Sequence, residues 1–442
     1  MNISLGSHFD YKTLFKFTFP SVIMMVFTSV YGVVDGYFVS NYVGKTPFAA
    51  VNFIMPFLMI LGSLGFMFGS GGGALIAKTM GEGRRERAQK LFSLLTYVSI
   101  IIGIVVAILG IVFIRPIASS LGAEGQMLED CVIYGRIILL ALPTLILQFE
   151  FQSFFIVAQK AQLGLYATII AGVANMVLDA LLTAVFSLGI QGAAWATAIS
   201  QIIGGTIPLI YFSRKNTSTL QLTLPEFDLK ALIRACANGS SELVSNISMS
   251  LVGMLYNVQL MKYAGENGIA AYGTIMYINF VFLAIFIGYS TGVAPVIGFH
   301  YGAGNHSELK SLKKKSFTII LVTSVVMFFL AEILAKPLSE IFVGYDKTLF
   351  DMTTKAFIIY SFSFLFAGIA IFGSSFFTAL SDGLTSALIS FLRTLVFQIA
   401  AVLIFPLIWD IDGIWFSIVA AEVMAVIVTI FFITAKQKKF NY

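Results

Sequence analysis

Residues 90–114 read KLFSLLTYVSIIIGIVVAILGIVFI, and after Lys90 no charge interrupts the run. A helix needs roughly 20 apolar residues to cross a hydrocarbon core, so this stretch reads as one membrane span. Similar stretches flank it along the whole chain, separated by short polar breaks. The expected spans are residues 14–39, 47–76, 90–114, 131–156, 164–187, 191–212, 236–263, 269–299, 316–335, 351–380, 384–407 and 413–436. The fold class is therefore an all-α polytopic membrane protein of twelve transmembrane helices.

Composition leads to the same solvent. The 442 residues are 58% hydrophobic and 11% charged, with a mean hydropathy of +0.92. Too little polar surface remains to cover a water-soluble fold of that size, and nothing is left for a large soluble domain. The opening MNISLGSHFDYKTLFKF lacks the basic run, short apolar core and small-residue site of a removable signal peptide. Cys131 and Cys236 fall near opposite membrane faces, so the reading expects no disulfide between them. The net charge of +5 resides in loops beside spans, where topology explains it and nucleic acid need not.

Twelve spans place both termini on one side. That side collects Lys12 and Lys16, the cluster Lys78, Arg84, Arg85, Arg87 and Lys90, then Lys160, Arg214, Lys215, Lys230, Arg234, Lys310, Lys313, Lys314, Lys315, Lys436, Lys438 and Lys439. The opposite loops carry acids such as Glu124, Glu129, Asp130, Asp410 and Asp412. Basic loops stay in the cytoplasm. The expectation is an integral protein of the cytoplasmic membrane with both termini cytoplasmic.

The chain also repeats itself. VGKTPFAAVN, with Gly44, Ala49 and Ala50, aligns without a gap with AGENGIAAYG, with Gly265, Ala270 and Ala271. The offset that takes Gly44 to Gly265 also takes Met80, Gly81 and Gly83 to Tyr301, Gly302 and Gly304, Gly192 to Gly413, and Trp195 to Phe416. Each half holds six spans, and an even number makes the repeats parallel. The expected organisation is a lobe at residues 1–212, a cytoplasmic linker at 213–235 and a second lobe at 236–442, two six-helix bundles related by pseudo-two-fold symmetry. Two such lobes enclose a cleft, as alternating access requires.

Ionisable groups at membrane depth are costly and by default functional. Asp35 lies in span 1, Asn175 and Asp179 lie four apart on one face of span 5, and Thr197 lies in span 6. At 1.5 Å per residue, Asp35, Asp179 and Thr197 sit about 6, 12 and 9 Å from the outer ends of their helices, so they can meet at one level. Two carboxylates, an amide and a hydroxyl suit a hard cation or a shared proton. The repeat offset takes Asp35 to Tyr256, so the second lobe offers no matching acid.

Taken together, Pro20 followed by Asp35 in VVDGYFVSNYVG, the stretch GSGGGALIAKTMGEGRRERA, the Asn175–Asp179 pair and Thr197 resemble the multidrug and toxic compound extrusion (MATE) transporters, closest to their DinF-like and MepA-like branch. The resemblance covers essentially the whole chain. It implies two six-helix bundles, efflux of small amphipathic organic cations, coupling to H+ or Na+ at Asp35, Asn175, Asp179 and Thr197 without any other cofactor, and bending of span 1 at Pro20. The acids that the NorM-like branch carries in spans 7 and 10 have no counterpart here. The chain is expected to be a monomer among membrane lipids.

Glu150, flanked by Phe149, Phe151 and Phe154, is a candidate receptor for a lipophilic cation. Tyr31, Glu150 and Phe154 are assigned to the substrate cavity. A helix-end acid reaching water is the plainer alternative for Glu150. Glu242 reads either as its counterpart or as a first-turn acid at a helix N-terminus. Arg393 and Glu422, at matching depth in spans 11 and 12, read as a structural ion pair. GSGGGAL at 69–75 lacks the Gly-Lys-Ser/Thr ending of a phosphate loop and reads as a helix-packing segment. His8, His300 and His306 have no second ligand at metal spacing. A secondary antiporter is the leading function. A lipid-linked sugar flippase, disfavoured by the acidic set, and a receptor or scaffold without transport are the alternatives. An intramembrane enzyme would need a nucleophile with its base or a metal motif, and neither is found.

Overall fold

The computed structural model describes residues 4–43 and 45–442, with the side chains of residues 40 and 45 also excluded, so Gly44 of the repeat lies outside the described residues. Long helices fill nearly all of it. In chain order they are α1 (Tyr11–Val43), α2 (Thr46–Gly81), α3 (Arg85–Ser120), α4 (Gly125–Val157), α5 (Ala161–Val185) and α6 (Gly189–Ser213). A continuous stretch, Leu229–Gly302, follows. At 1.5 Å per residue it would be about 110 Å long, several times a hydrocarbon core of about 30 Å. It breaks at Gly265, whose backbone is left-handed with φ 62°, giving α7 (229–264) and α8 (266–302). The remainder are α9 (His306–Val343), α10 (Lys347–Ser361 and Phe364–Ala379, bent by 50°), α11 (Gly383–Ile404) and α12 (Pro406–Phe440). Twelve long helices result among the described residues.

Several helices outrun the expected spans because hydropathy counts only the part in hydrocarbon. α3 extends from 90–114 to Arg85–Ser120. The expected linker at 213–235 shortens for the same reason. α7 already starts at Leu229, where Asp228 accepts a capping bond from the Ala231 amide at 3.0 Å. The remaining link is pinned to the base of α3, Arg87 reaching Asp228 at 3.2 Å and Lys90 reaching Glu226 at 3.1 Å.

The two six-helix groups meet at the end that carries the termini, through backbone contacts that only glycine permits. A Cβ on Gly81 would stand 2.0 Å from the Phe299 carbonyl oxygen, and one on Gly302 would stand 2.1 Å from that of Lys78. The repeat offset relates Gly81 to Gly302 and Lys78 to Phe299, so the two contacts exchange under it. Their flanks do likewise. Gly239 of α7 lies against the Met67 carbonyl and Gly71 of α2, while Gly288 and Gly292 of α8 lie against Thr18, Ser21 and Val22 of α1. The same offset carries Thr18 to Gly239, Met67 to Gly288 and Gly71 to Gly292. This is a pseudo-two-fold interface built on small residues, the usual means of bringing membrane helices close.

Away from that end the glycine-to-backbone contacts between the groups cease. Cβ atoms built on Gly32, Gly253 and Gly273 would meet nothing within 4 Å. Contact between the groups there narrows to α1 against α8, where the Ser29 hydroxyl donates to the Phe280 carbonyl at 3.2 Å and a Cβ on Gly36 would stand 3.7 Å from the Tyr277 hydroxyl. At the closed end the N-terminal segment crosses to the second group. Leu5 and Phe9 are buried, and Glu308 accepts from His8 Nδ1 at 2.7 Å and from the Phe9 amide at 2.9 Å. The outward faces stay apolar, with Ile101, Val112 and Ile333 more than half exposed, as a lipid-facing surface requires.

Candidate cation site in the first lobe

Asp35 occupies α1 one turn before the π-helical stretch Val39–Val43, and Asp179 immediately precedes the π-helical stretch Ala180–Val185. Such wide turns recur at functional sites because they re-aim side chains. Here they flank both acids. Thr197 Oγ1 donates to Asp35 Oδ1 at 3.3 Å. Asp179 and Asn175 are the other side-chain neighbours of Asp35, so all four expected residues converge from α1, α5 and α6.

The enclosure decides what this set can do. Asp179 is 0% exposed and neither of its carboxylate oxygens has a hydrogen-bond partner. Asn175 is buried as well, with its Nδ2 unpartnered. With Asp179 buried against the half-buried Asp35, the two adjacent carboxylates cannot both stay charged without compensation, because each desolvates and repels the other. A proton or a small hard cation relieves that conflict. The orphaned oxygens of Asp179 fit either, and among the described residues no group of three His, Cys, Asp or Glu side chains assembles for a transition metal.

Three further groups border the site. Tyr134 of α4 is fully buried beside Asp35, Thr197 and Asp179, its hydroxyl unpartnered. Nothing local marks it, since a tyrosine near the outer end of a span reads as an interfacial anchor. Tyr31 lies beside Asp35 and Gln148. Tyr277 of α8 approaches Asp35 from the second lobe and also lines an apolar cavity of about 400 Å³ with Val30, Val34, Phe282, Met327 and Phe342. An apolar cavity thus adjoins the acids.

Other expectations change on placement. Glu150 and Phe154 do not line the cleft in this conformation: both are 0% exposed, and Phe154 is packed edge-on against Phe92 at 5.2 Å. Glu150 consequently does not reach water as a helix-end acid either. Glu242 is no first-turn acid, because α7 begins well upstream of it, at Leu229; it lies near Arg393 instead. Arg393 donates from Nε to both Glu422 oxygens, at 3.0 and 2.8 Å. Tyr256, the counterpart of Asp35, donates to Gln398 at 2.9 Å, so a neutral pair stands there in the second lobe. Pro20 sits inside α1, which continues through it without a break. The 69–75 segment is helical, not a loop.

A family model described as MatE matches the chain twice, over residues 20–181 and 243–404. The chain belongs to the MatE family. This is a family of transporters, not of enzymes, and the two matches, one per lobe, coincide with the internal repeat. The chain is 25% identical over 417 residues to a protein named multidrug export protein MepA from Staphylococcus saprophyticus, covering 93% of this chain and 91% of that protein. Among solved structures, a MATE protein in complex with MaL6 superposes with a TM-score of 0.93 at 22% identity, over 98% of both chains. One described as an outward-facing multidrug resistance MATE family transporter of the MOP superfamily gives 0.92 at 22% identity, over 98% of this chain and 97% of that one. The fold of this transporter is the MATE fold.

Proposed function

We propose that this transporter expels small amphipathic, cationic molecules in exchange for protons or sodium by alternating access. The observation that carries the reading is the adjacent Asp35–Asp179 pair, Asp179 wholly buried, with Asn175 and Thr197, in one lobe of a two-lobed molecule whose lobes are sealed together at the termini end. A cation taken up from the side opposite the seal neutralises the pair. Its differential affinity for the two conformations then drives the cycle.

The basic loops assign the sealed end to the cytoplasm, and the lobes correspond to residues 1–212 and 236–442 about the link. Pro20 removes the amide that would hold the Lys16 carbonyl, leaving α1 free to bend near the sealed end, between the seal and the site. The apolar cavity next to Asp35 suits a substrate with a lipophilic body and a positive charge. Tyr31 is the substrate-facing aromatic of this reading. The relatives named multidrug export proteins support it, and the acidic pair speaks against an anionic lipid-linked sugar. Dye transport in proteoliposomes under separately imposed proton and sodium gradients tests the reading. Uptake driven by one gradient supports it, and dye binding without gradient-driven transport refutes it.

A further inference from the structure

Glu150 of α4 is a buried carboxyl that the coupling site does not use. It is 0% exposed, and neither of its oxygens has a hydrogen-bond partner. The nearest polar side chain is Ser99 of α3, whose hydroxyl is also orphaned. Among the described residues no charged group faces it from the surrounding helices. On α2, Lys78 lies over the Tyr301 ring at 5.0 Å. On α3, Arg87 turns to Asp228, Lys90 to Glu86 and Glu226, and Arg115 to Glu129. On α7, Arg234 acts on Lys78, and Glu242 faces Arg393. α5 contributes only Asp179, in the cation site, and α6 carries no charge. An ionised carboxylate here would have no counter-charge and no donor beyond the Ser99 hydroxyl, a strongly disfavoured state.

What lies behind Glu150 gives that constraint a consequence. α2 passes it in the π-helical turn Phe68–Gly72. A Cβ on Gly69 would stand 3.0 Å from the Glu150 Cα, while one on Gly71 would stand 2.1 Å from the Ala235 carbonyl oxygen of the other lobe. This single turn therefore packs on the backbone of Glu150 on one side and on the interlobe seal on the other. A shift of α4 that brings water to Glu150 also displaces the turn packed on its backbone, and moving that turn breaks the contacts with Ala235 and Gly239.

We propose that Glu150 is a second proton-binding site, whose protonated form holds the termini-end seal shut and whose ionised form releases it. On opening, the Glu150 O–H bond breaks and the proton passes to a water of the solution at the termini end, leaving a hydrated carboxylate. Proton binding favours the closed state, so raising the pH opens the seal. The proposal rests on the alternating-access reading above, though not on Asp35 and Asp179 as the coupling groups.

The test silences those two acids. In an Asp35→Asn/Asp179→Asn chain with Cys131 and Cys236 replaced by serine, spin labels at Arg85→Cys and Lys310→Cys report the spacing of the lobes at the termini end by pulsed electron resonance. From acidic to alkaline pH, the ratio of closed to open populations should fall by at least about tenfold, equivalent to about 1.4 kcal/mol. Adding Glu150→Gln should abolish the response and keep the seal closed. If that variant does not fold, Glu150→Met should lose the response in the same way. A response that survives either substitution, or none in the starting chain, overturns the proposal. Because Asp35 and Asp179 are already neutral, the result is independent of whether they couple transport.

Discussion

Thr197 Oγ1 donates to Asp35 Oδ1 at 3.3 Å from a distant part of the chain, tying α6 to α1 at the level where Asp179 is buried. A neutral hydroxyl adds roughly 1 kcal/mol to such a site, the net worth of one hydrogen bond. Thr197→Ala and Asn175→Ala should therefore slow gradient-driven dye efflux by roughly fivefold each, without abolishing it. Everted vesicles give the rates. Complete loss in either variant would mean that the neutral ligands, and not the carboxylates, hold the ion.

Arg393 and Glu422 form the buried ion pair of the second lobe, with side chains 15% and 5% exposed. Removing one partner leaves the other charge uncompensated, which costs about 3–5 kcal/mol, whereas replacing both with apolar residues is often neutral. Arg393→Met should lower thermal stability in detergent markedly, and Arg393→Met/Glu422→Leu should recover most of it. If the double variant loses transport while regaining stability, the pair has a role in the cycle beyond structure.

The seal depends on Gly239, where an added Cβ would come within 1.9 Å of the Met67 carbonyl oxygen. Neither backbone can yield without separating α2 from α7. Gly239→Val should therefore disfavour the closed state by about 1–3 kcal/mol, the usual cost of overpacking, and shift the lobes apart at the termini end. Distance measurements across that end check it, with unchanged spacing as the contrary result.

Much of this site is legible in the sequence, and what escapes has physical causes. Asn175 and Asp179 are legible because they share a helix face, and Asp35 and Thr197 because span depth follows from helical rise. Tyr134 and Tyr277 are not, since only the tertiary arrangement turns those aromatics toward Asp35. The start of α7 escapes because its first turns, Leu229 to Ala235, carry Lys230 and Arg234 and fall outside any apolar window. The enclosure of Glu150 is likewise invisible: it depends on how closely Gly69 brings α2 to α4.

Orientation rests on the basic loops. Single cysteines in place of Arg84 and Glu124, in loops at opposite ends of α3, should react with an impermeant label from opposite faces of the membrane, the Arg84 position only from the cytoplasmic face. Labelling of both from one face would overturn the span count in the first lobe.

In the proposed cycle Asp35 and Asp179 couple an ion to export. Dye efflux in everted vesicles, measured beside dye binding to the purified protein by fluorescence, tests it most directly. Asp35→Asn and Asp179→Asn should each abolish gradient-driven efflux while binding persists, because neutralising either acid removes the charge that distinguishes the ion-bound from the ion-free site. Near-normal efflux in both variants would contradict the account and place the coupling site elsewhere in the molecule.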